Sequence, residues 1–268
     1  MPIPLPVAKF KQGLLRAGAA LILSCFGYAA SAQAPTSLLD SVQSAGQLRI
    51  CTTGDFKPFT LAKGEDYEGI DIEMAKSLAK ALGVVPRFVR TKWAELMQDV
   101  LGGKCDVAMG GIGITLERQK RVFFSAPTLR GGAAPLVRCS DKEKFQTIAD
   151  IDKAGVKVIA NPGGNNERFA RNTFKQASIT IHGDNVTVFD EILAGRADVM
   201  VTSAIEGAIQ EKLRPGLCVV NPDKPFTFSE IAYVLPRGDI AFKAFVDQWL
   251  HIAKSNGEYK RYYDQFLR

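Results

Sequence analysis

The sequence predicts an α/β protein built from two lobes, each with a mainly parallel sheet. Strand-like apolar runs alternate with amphipathic helical patterns along most of the 268 residues, which is typical of parallel sheets. Several of these runs end in glycine-rich turns. A short internal similarity links residues 101–109 with residues 193–200, because each contains a helix end, a basic residue and the start of a strand. We therefore expect two similar lobes.

The first 32 residues predict a secretory signal peptide. Three basic residues precede an apolar run over residues 17–30, and Ala30-Ser31-Ala32 forms an A-x-A cleavage site. The run is too short for a comfortable membrane span. We therefore expect a secreted, periplasmic protein without stable membrane association.

The composition argues against a polyanion-binding protein. The chain has 34 Lys and Arg against 28 Asp and Glu, a net charge of +6, and part of this excess lies in the predicted leader. The remaining charges are scattered along the chain, so we expect no nucleic-acid partner, while a homo-oligomer is left open. His182 and His251 are isolated in the sequence, and we expect neither a metal nor another cofactor.

Four cysteines follow the leader, and in an oxidising compartment an even number favours disulfides. Cys139 and Cys218 each lie at the end of an apolar run in the same half of the chain, so we expect them to pair. Cys51 and Cys105 are predicted to lie on strands, and their state, as buried thiols or as a second disulfide, is left open.

Strands and helices alternate in the first half of the chain. Strands are predicted at residues 47–52, 87–90 and 106–109, and helices at residues 72–82 and 94–101. Asp71 is interpreted as the N-cap of the first helix and Gly83 as its end. The segment 54–59 is predicted to be a loop with two exposed aromatic residues.

Residues 109–118 are the most informative stretch. A buried strand runs into glycines, and Thr115 is placed to cap a short helix that reaches Arg118. Such a turn presents backbone N–H groups to a small anion, and Arg118 would add a guanidinium clamp on a carboxylate. A tight turn followed by a solvated arginine explains this stretch equally well.

The second half repeats the alternation. Strands are predicted at residues 156–160, 179–182, 198–202 and 231–235, and helices from the glycine turn at 161–167 to residue 176 and at residues 186–193, 203–213, 241–254 and 258–266. Two such lobes would place their strand-end loops on either side of a cleft, where open sheets bind ligands.

Five segments carry a family resemblance: residues 53–59, 111–119, 161–167, 184–187 and 204–206. On these, the chain resembles the periplasmic solute-binding proteins of the type II fold and, within that fold, the cyclohexadienyl dehydratases. The resemblance covers essentially the whole mature chain. It implies two doubly wound sheets joined by a two-strand hinge, with lobe 1 at residues 42–136 plus 233–268 and lobe 2 at residues 137–232.

The resemblance implies a carbon–oxygen lyase of phenylalanine biosynthesis. Such an enzyme removes water and carbon dioxide from prephenate to give phenylpyruvate, or from arogenate to give phenylalanine. Glu206 matches the general acid and Asn161 a polar residue beside it. Without the resemblance, the preferred interpretation of Glu206 is an ordinary carboxylate in the first turn of a helix, where the helix dipole favours it.

The resemblance also implies a set of substrate-binding residues. Arg118 and the turn around it would hold a carboxylate, aromatic residues would line the pocket, and a turn of the second lobe would close on the substrate. These residues are Phe56, Trp93, Gly111, Gly113, Thr115, Arg118, Gly164 and Asn165.

Ser203 departs from the family pattern, in which an aspartate commonly pairs with a ligand ammonium. A serine cannot neutralise a buried cation, so arogenate use is in doubt while prephenate use is unaffected. The alternative function is a non-catalytic receptor that delivers an amino acid or another small carboxylate to an ABC transporter. Both functions predict the same fold.

Overall fold

A computed structural model describes residues 1–4 and 37–267. Residues 36–268 form one compact unit, which contains all the elements described below. The predicted signal peptide falls almost entirely outside the described residues. In the part of the chain that is described, no helix is long and apolar enough to cross a bilayer.

Helices and strands alternate as the sequence predicts. The helices are α1 (Leu38–Ala45), α2 (Ile70–Leu82), α3 (Leu96–Leu101), α4 (Leu116–Gln119), α5 (Ile148–Ile151), α6 (Asn165–Thr173), α7 (Val188–Leu193), α8 (Ala204–Leu213), α9 (Ile240–Ser255) and α10 (Glu258–Leu267), with a 3-10 helix at Cys139–Lys144. The strands are β1 (Gln47–Thr52), β2 (Asp55–Phe56), β3 (Thr60–Lys63), β4 (Asp66–Glu68), β5 (Val85–Arg90), β6 (Val107–Ala108), β7 (Phe123–Phe124), β8 (Leu129–Gly131), β9 (Ala133–Arg138), β10 (Lys157–Ala160), β11 (Ser178–Ile181), β12 (Val199–Ser203), β13 (Leu217–Val219), β14 (Ser229–Ile231) and β15 (Val234–Leu235).

The first sheet has five strands in the order β5-β1-β6-β15-β7. β1 runs parallel to both of its neighbours, whereas β15 is antiparallel to β6 and β7. Apolar faces of the helices pack on this sheet in one buried cluster, which includes Leu48, Ile50, Met74, Leu78, Phe242, Val246 and Leu250. Two of its four pairings are parallel and two are antiparallel, so the sheet is mixed and not mainly parallel as predicted.

The second sheet also has five strands, in the order β11-β10-β12-β9-β13. β10 is parallel to β11 and β12, while β9 is antiparallel to β12 and β13. Two buried clusters flank this sheet, one containing Phe189 and Ile192 and the other Ile151 and Phe174.

The chain passes between the two five-stranded sheets twice, and the two connecting strands, β8 and β14, form a two-stranded sheet. β8 pairs antiparallel with β14, with Leu129 opposite Ile231. The single strand predicted at residues 231–235 is wrong, because Ile231 ends β14 while Val234 begins β15 in the first sheet. The lobe boundaries remain a prediction, and β9 spans the predicted limit at residue 136.

Both pairs of cysteines form disulfides. The predicted bond between Cys139 and Cys218 is confirmed, with Cα atoms 4.8 Å apart. Cys51 and Cys105, whose state the sequence leaves open, form a second disulfide with Cα atoms 5.6 Å apart. The pairing arises because β1 and β6 are neighbours, so the chain entering β6 passes beside Cys51.

Candidate active site

Aromatic rings form one wall of the site. Phe56 stacks on Phe59 with ring centroids 5.5 Å apart and meets Trp93 edge-on at 5.6 Å. The predicted exposed loop is wrong, because Phe56 is 7% exposed and Phe59 is fully buried. β2, β3 and β4 form a small antiparallel sheet that folds this segment back on itself, and both rings join a cluster with Ile231.

The glycine turn after β6 packs directly on these rings. Gly111 has a φ of 70°, and a Cβ there would lie 2.6 Å from Phe56 Cδ1, so only glycine fits. The Gly111 N–H donates to Asp71 Oδ2 at 2.7 Å. The prediction that this turn offers its backbone N–H groups to an anionic ligand is therefore wrong for Gly111, because its N–H already binds the Asp71 carboxylate. Gly111 lines the pocket, and its role in substrate binding remains a prediction.

Asp71 joins three segments that are distant in sequence. The N-cap of α2 is Gly69, not Asp71 as predicted, and Asp71 lies buried in the first turn. The Tyr233 hydroxyl donates to Asp71 Oδ1 at 3.3 Å. Burial raises the pKa of Asp71 to about 6, although hydrogen bonds from Gly111 and Tyr233 oppose the rise. This carboxylate fixes the turn on which the pocket is built.

Arg118 is a buried cation in the pocket. The Thr115 side chain accepts from Arg118 N at 3.1 Å, which confirms the predicted cap of α4. The guanidinium is 7% exposed and donates from Nη1 to the Gly113 carbonyl at 2.8 Å. Burial, together with the positive charge of Arg168, lowers the pKa of Arg118 to about 10. Within residues 37–267 no carboxylate pairs with this guanidinium, and a buried charge without a partner favours an anionic ligand.

The strand ends of the second sheet supply the opposite wall. Asn161 follows β10, and its Oδ1 is buried without a hydrogen-bond partner among the described residues. Gly164 is the N-cap of α6, and Asn165 begins that helix. The side-chain nitrogen of Asn165 lies close to the position that a Cβ at residue 113 would take, so the two turns meet at Gly113 and Asn165.

Glu206 lies in the first turn of α8, directly after β12. It is 2% exposed, and the Thr202 hydroxyl donates to its Oε2. Burial raises the pKa of Glu206 to about 8, the Thr202 hydrogen bond opposes the rise, and the charge of Asp55 adds to it. A carboxyl group with this pKa is mostly protonated at neutral pH and can donate a proton.

A cavity of about 350 Å³ brings most of the predicted site residues together, and its size suits a small molecule. The predicted residues that line it are Phe56, Trp93, Gly111, Gly113, Thr115, Arg118, Asn161, Gly164, Asn165 and Ser203. Neither Glu206 nor Thr202 lines the cavity, but the Thr202 hydroxyl connects Glu206 to the cavity wall, because it also accepts from Asn166 Nδ2 at 3.2 Å. Among the described residues no group of three or more acidic, histidine or cysteine residues could hold a metal.

Sequence reasoning did not single out several polar residues at the site. Asp55 accepts from Trp93 Nε1 at 3.1 Å and from Asn185 Nδ2 at 2.8 Å. Asn166 and Arg168 line the cavity with Asn165. Asp55, Asn166 and Asn185 stand in the segments that carry the family resemblance, which is the signal that could have identified them. Arg168 lies one residue beyond its segment.

The comparison with known families agrees with this architecture. Residues 48–268 match the bacterial extracellular solute-binding proteins, family 3. The chain belongs to this family. The two-lobe type II fold predicted from the sequence is therefore confirmed, with two mixed five-stranded sheets joined by the paired strands β8 and β14.

Relatives within the family include an enzyme and a binding protein. The chain is 48% identical over 248 residues to the cyclohexadienyl dehydratase of Pseudomonas aeruginosa, covering 91% of this chain and 92% of the relative. A solved ancestral amino acid-binding protein, described as a precursor of cyclohexadienyl dehydratase, is 35% identical with a TM-score of 0.80 over 87% of this chain and 100% of its own. A solved ancestral cyclohexadienyl dehydratase is 47% identical with a TM-score of 0.55 over 87% of this chain and 97% of its own.

Proposed function

We propose that this protein is a secreted cyclohexadienyl dehydratase, a carbon–oxygen lyase that converts prephenate to phenylpyruvate. The observation that carries the proposal is the buried Glu206, whose pKa is raised to about 8 beside a cavity that contains the unpaired Arg118. The 48% identity to a cyclohexadienyl dehydratase supports the same function.

Glu206 acts as the general acid in the proposed reaction. The ring hydroxyl of prephenate is a poor leaving group, so it departs as water once Glu206 has given it a proton. The bond between the ring and its carboxylate breaks at the same time, the bonding electrons enter the ring, and carbon dioxide leaves. The ring becomes aromatic, and Glu206 is left as a carboxylate that regains its proton from water.

The other residues hold and orient the substrate. Arg118 pairs with the carboxylate of the pyruvyl side chain, which supplies the charge partner that the buried guanidinium lacks. The free Oδ1 of Asn161 accepts a hydrogen bond from the substrate hydroxyl. Phe56 and Trp93 exclude water from the reacting ring, and the turn at Gly164 and Asn165 closes the opposite side.

Arogenate is the poorer substrate in this proposal. Ser203 lines the cavity and offers a hydroxyl but no negative charge. The ammonium group of arogenate would enter a site that already contains two arginines, Arg118 and Arg168. An unpaired buried ammonium is costly, whereas the keto group of prephenate carries no charge.

The same argument weighs against a receptor for amino acids, although the family includes such proteins. A receptor for an uncharged or anionic carboxylate remains the alternative function. It requires no proton donor, so the burial and raised pKa of Glu206 favour the enzyme. The predicted leader at residues 1–32 would direct the protein to the periplasm, and the small-molecule substrate is the only partner we propose.

Incubation of the purified mature protein with prephenate tests the proposal. We expect phenylpyruvate to form at neutral pH much faster than in buffer alone. A protein that binds prephenate but forms no phenylpyruvate would be a receptor.

A further inference from the structure

A second guanidinium lies at the same cavity as Arg118. Arg168, in the first half of α6, lines the cavity from the side of the second sheet, and its side chain is exposed. Its Nη2 donates to Asn165 Oδ1 at 2.5 Å. Among the described residues no carboxylate forms an ion pair with Arg168. Arg168 therefore stands available to a ligand at the cavity rim.

One contact places the two guanidiniums at the same end of the cavity. The side chain of Asn165 packs on Gly113, where a Cβ would overlap it. Arg168 is bound to Asn165, and Arg118 is bound to the Gly113 carbonyl at 2.8 Å. The positive charge of Arg168 acts on Arg118, and a dianionic ligand between the two guanidiniums would relieve their repulsion.

The nearby carboxylates offset these charges only in part. Glu117 lines the cavity and its charge raises the pKa of Arg118, but it makes no ion pair with either arginine among the described residues. The charge of Glu167 interacts with Arg168, but its hydrogen bonds go elsewhere, because its Oε2 accepts from Gly163 N at 2.8 Å and its Oε1 from Arg171 Nε at 2.8 Å. This end of the cavity therefore keeps two guanidiniums for a ligand.

We propose that Arg118 and Arg168 together bind a dicarboxylate, with Arg168 receiving the carboxylate that leaves as carbon dioxide. The inference rests on the proposed function. The two carboxylates of prephenate lie near one end of the ring and the hydroxyl at the other. Two adjacent guanidiniums at one end of the cavity match the two carboxylates at one end of the ring.

The proposal assigns different roles to the two arginines. The carboxylate held by Arg118 keeps its charge through the reaction. The carboxylate held by Arg168 loses its charge as carbon dioxide forms, so this contact weakens towards the transition state. Interactions that do not strengthen in the transition state lower KM without raising kcat. Arg168 is therefore a determinant of substrate affinity and specificity.

Arg168→Gln tests the role of the second charge. We expect KM for prephenate to rise by about 10-fold, the scale of one charge-assisted contact, while kcat should not fall, because the lost contact is weaker in the transition state than in the bound substrate. Inhibition by phenylpyruvate, which has a single carboxylate, should change by less than about twofold. Arg168→Lys keeps the charge and should retain most of the affinity.

Two further variants separate the charge from other effects. Lys175→Gln removes one positive charge just after the same helix, outside the residues that line the cavity, and should leave KM unchanged. Asn165→Ala removes the partner of Arg168 but keeps its charge. A contradicting result is that Arg168→Gln weakens prephenate and phenylpyruvate binding equally and that Asn165→Ala reproduces that loss. This result would overturn the dicarboxylate assignment and show that Arg168 acts by supporting Asn165.

The proposed enzyme activity can fail separately from this inference. If the wild type binds prephenate without turnover, the enzyme proposal fails, and the same comparison is made on Kd values by calorimetry. A 10-fold weaker Kd for prephenate but not for phenylpyruvate in Arg168→Gln would still support the dicarboxylate site. No change in either Kd, or no binding of prephenate to the wild type, would overturn it.

Discussion

Asn185 donates a hydrogen bond of 2.8 Å from Nδ2 to Asp55 Oδ2, across 130 residues of sequence. Trp93 Nε1 donates to the other oxygen of the same carboxylate at 3.1 Å. Through these hydrogen bonds, Asp55 connects Trp93 in the aromatic wall to the loop that precedes α7. Its negative charge raises the pKa of Glu206 in addition to the larger effect of burial. The charge of Asp55 therefore favours the protonated form of the proposed acid.

The pH dependence of turnover should report the ionisation of Glu206. The acid must be protonated, and its pKa is raised to about 8, so kcat should be level near neutrality. Above about pH 8 it should fall, by about tenfold for each further pH unit. Initial rates at saturating prephenate across pH 6–10 check this. A kcat that keeps rising through this range would contradict a general acid.

Asp55→Asn should move the fall of kcat at high pH, the alkaline limb of the profile, to a lower pH. Removing the negative charge makes ionisation of Glu206 easier, which lowers its pKa. The measurement is the midpoint of the limb in the kcat profile. Asn185→Ala is the matched control, because it breaks the hydrogen bond to Asp55 but leaves the charge in place. If both variants move the midpoint equally, the effect comes from altered positioning and not from charge.

Arg118→Ala should damage binding more than chemistry. The substrate loses a charged, buried partner, so KM for prephenate should rise on the order of 100-fold, with a smaller rise in Arg118→Lys. Steady-state kinetics separate KM from kcat. Arg121→Ala is the control, since Arg121 is an exposed arginine three residues further along. An unchanged KM in Arg118→Ala would remove Arg118 from the proposed carboxylate site.

Ser203→Asp should shift specificity towards arogenate. The added carboxylate would neutralise the substrate ammonium at the cavity wall, so kcat/KM for arogenate relative to prephenate should rise about tenfold or more. Ser203→Asn has a similar shape without the charge and should not produce the shift. A ratio that is the same in both variants would show that the ammonium group is not bound near residue 203.

Local features of the fold were predictable from the sequence. Thr115 caps α4 and Gly83 ends α2 as expected, because caps depend on residues within one or two turns. The strand at residues 47–52 was also predicted with its observed limits. The pairing of Cys139 with Cys218 followed from their positions at the ends of apolar runs.

Features that depend on distant contacts were not predictable in this way. Asp71 has the sequence pattern of a helix cap, but its partners Gly111 and Tyr233 lie 40 and 162 residues away. The apolar run at residues 231–235 has strand character throughout. It is divided in the fold because Ile231 pairs in one sheet and Val234 in another. The contact of Asp55 with Asn185 likewise exists only in the folded chain. Such contacts leave no local periodicity from which to predict them.

The most direct test of the proposed mechanism is the turnover of Glu206→Gln with prephenate. Glutamine keeps the shape of the side chain and an oxygen that accepts from Thr202, but it has no acidic proton to give. We expect prephenate to bind the variant with nearly the wild-type Kd, while kcat falls by at least ~100-fold and loses its alkaline limb. Turnover of Glu206→Gln at the wild-type rate would contradict the assignment of Glu206 as the acid.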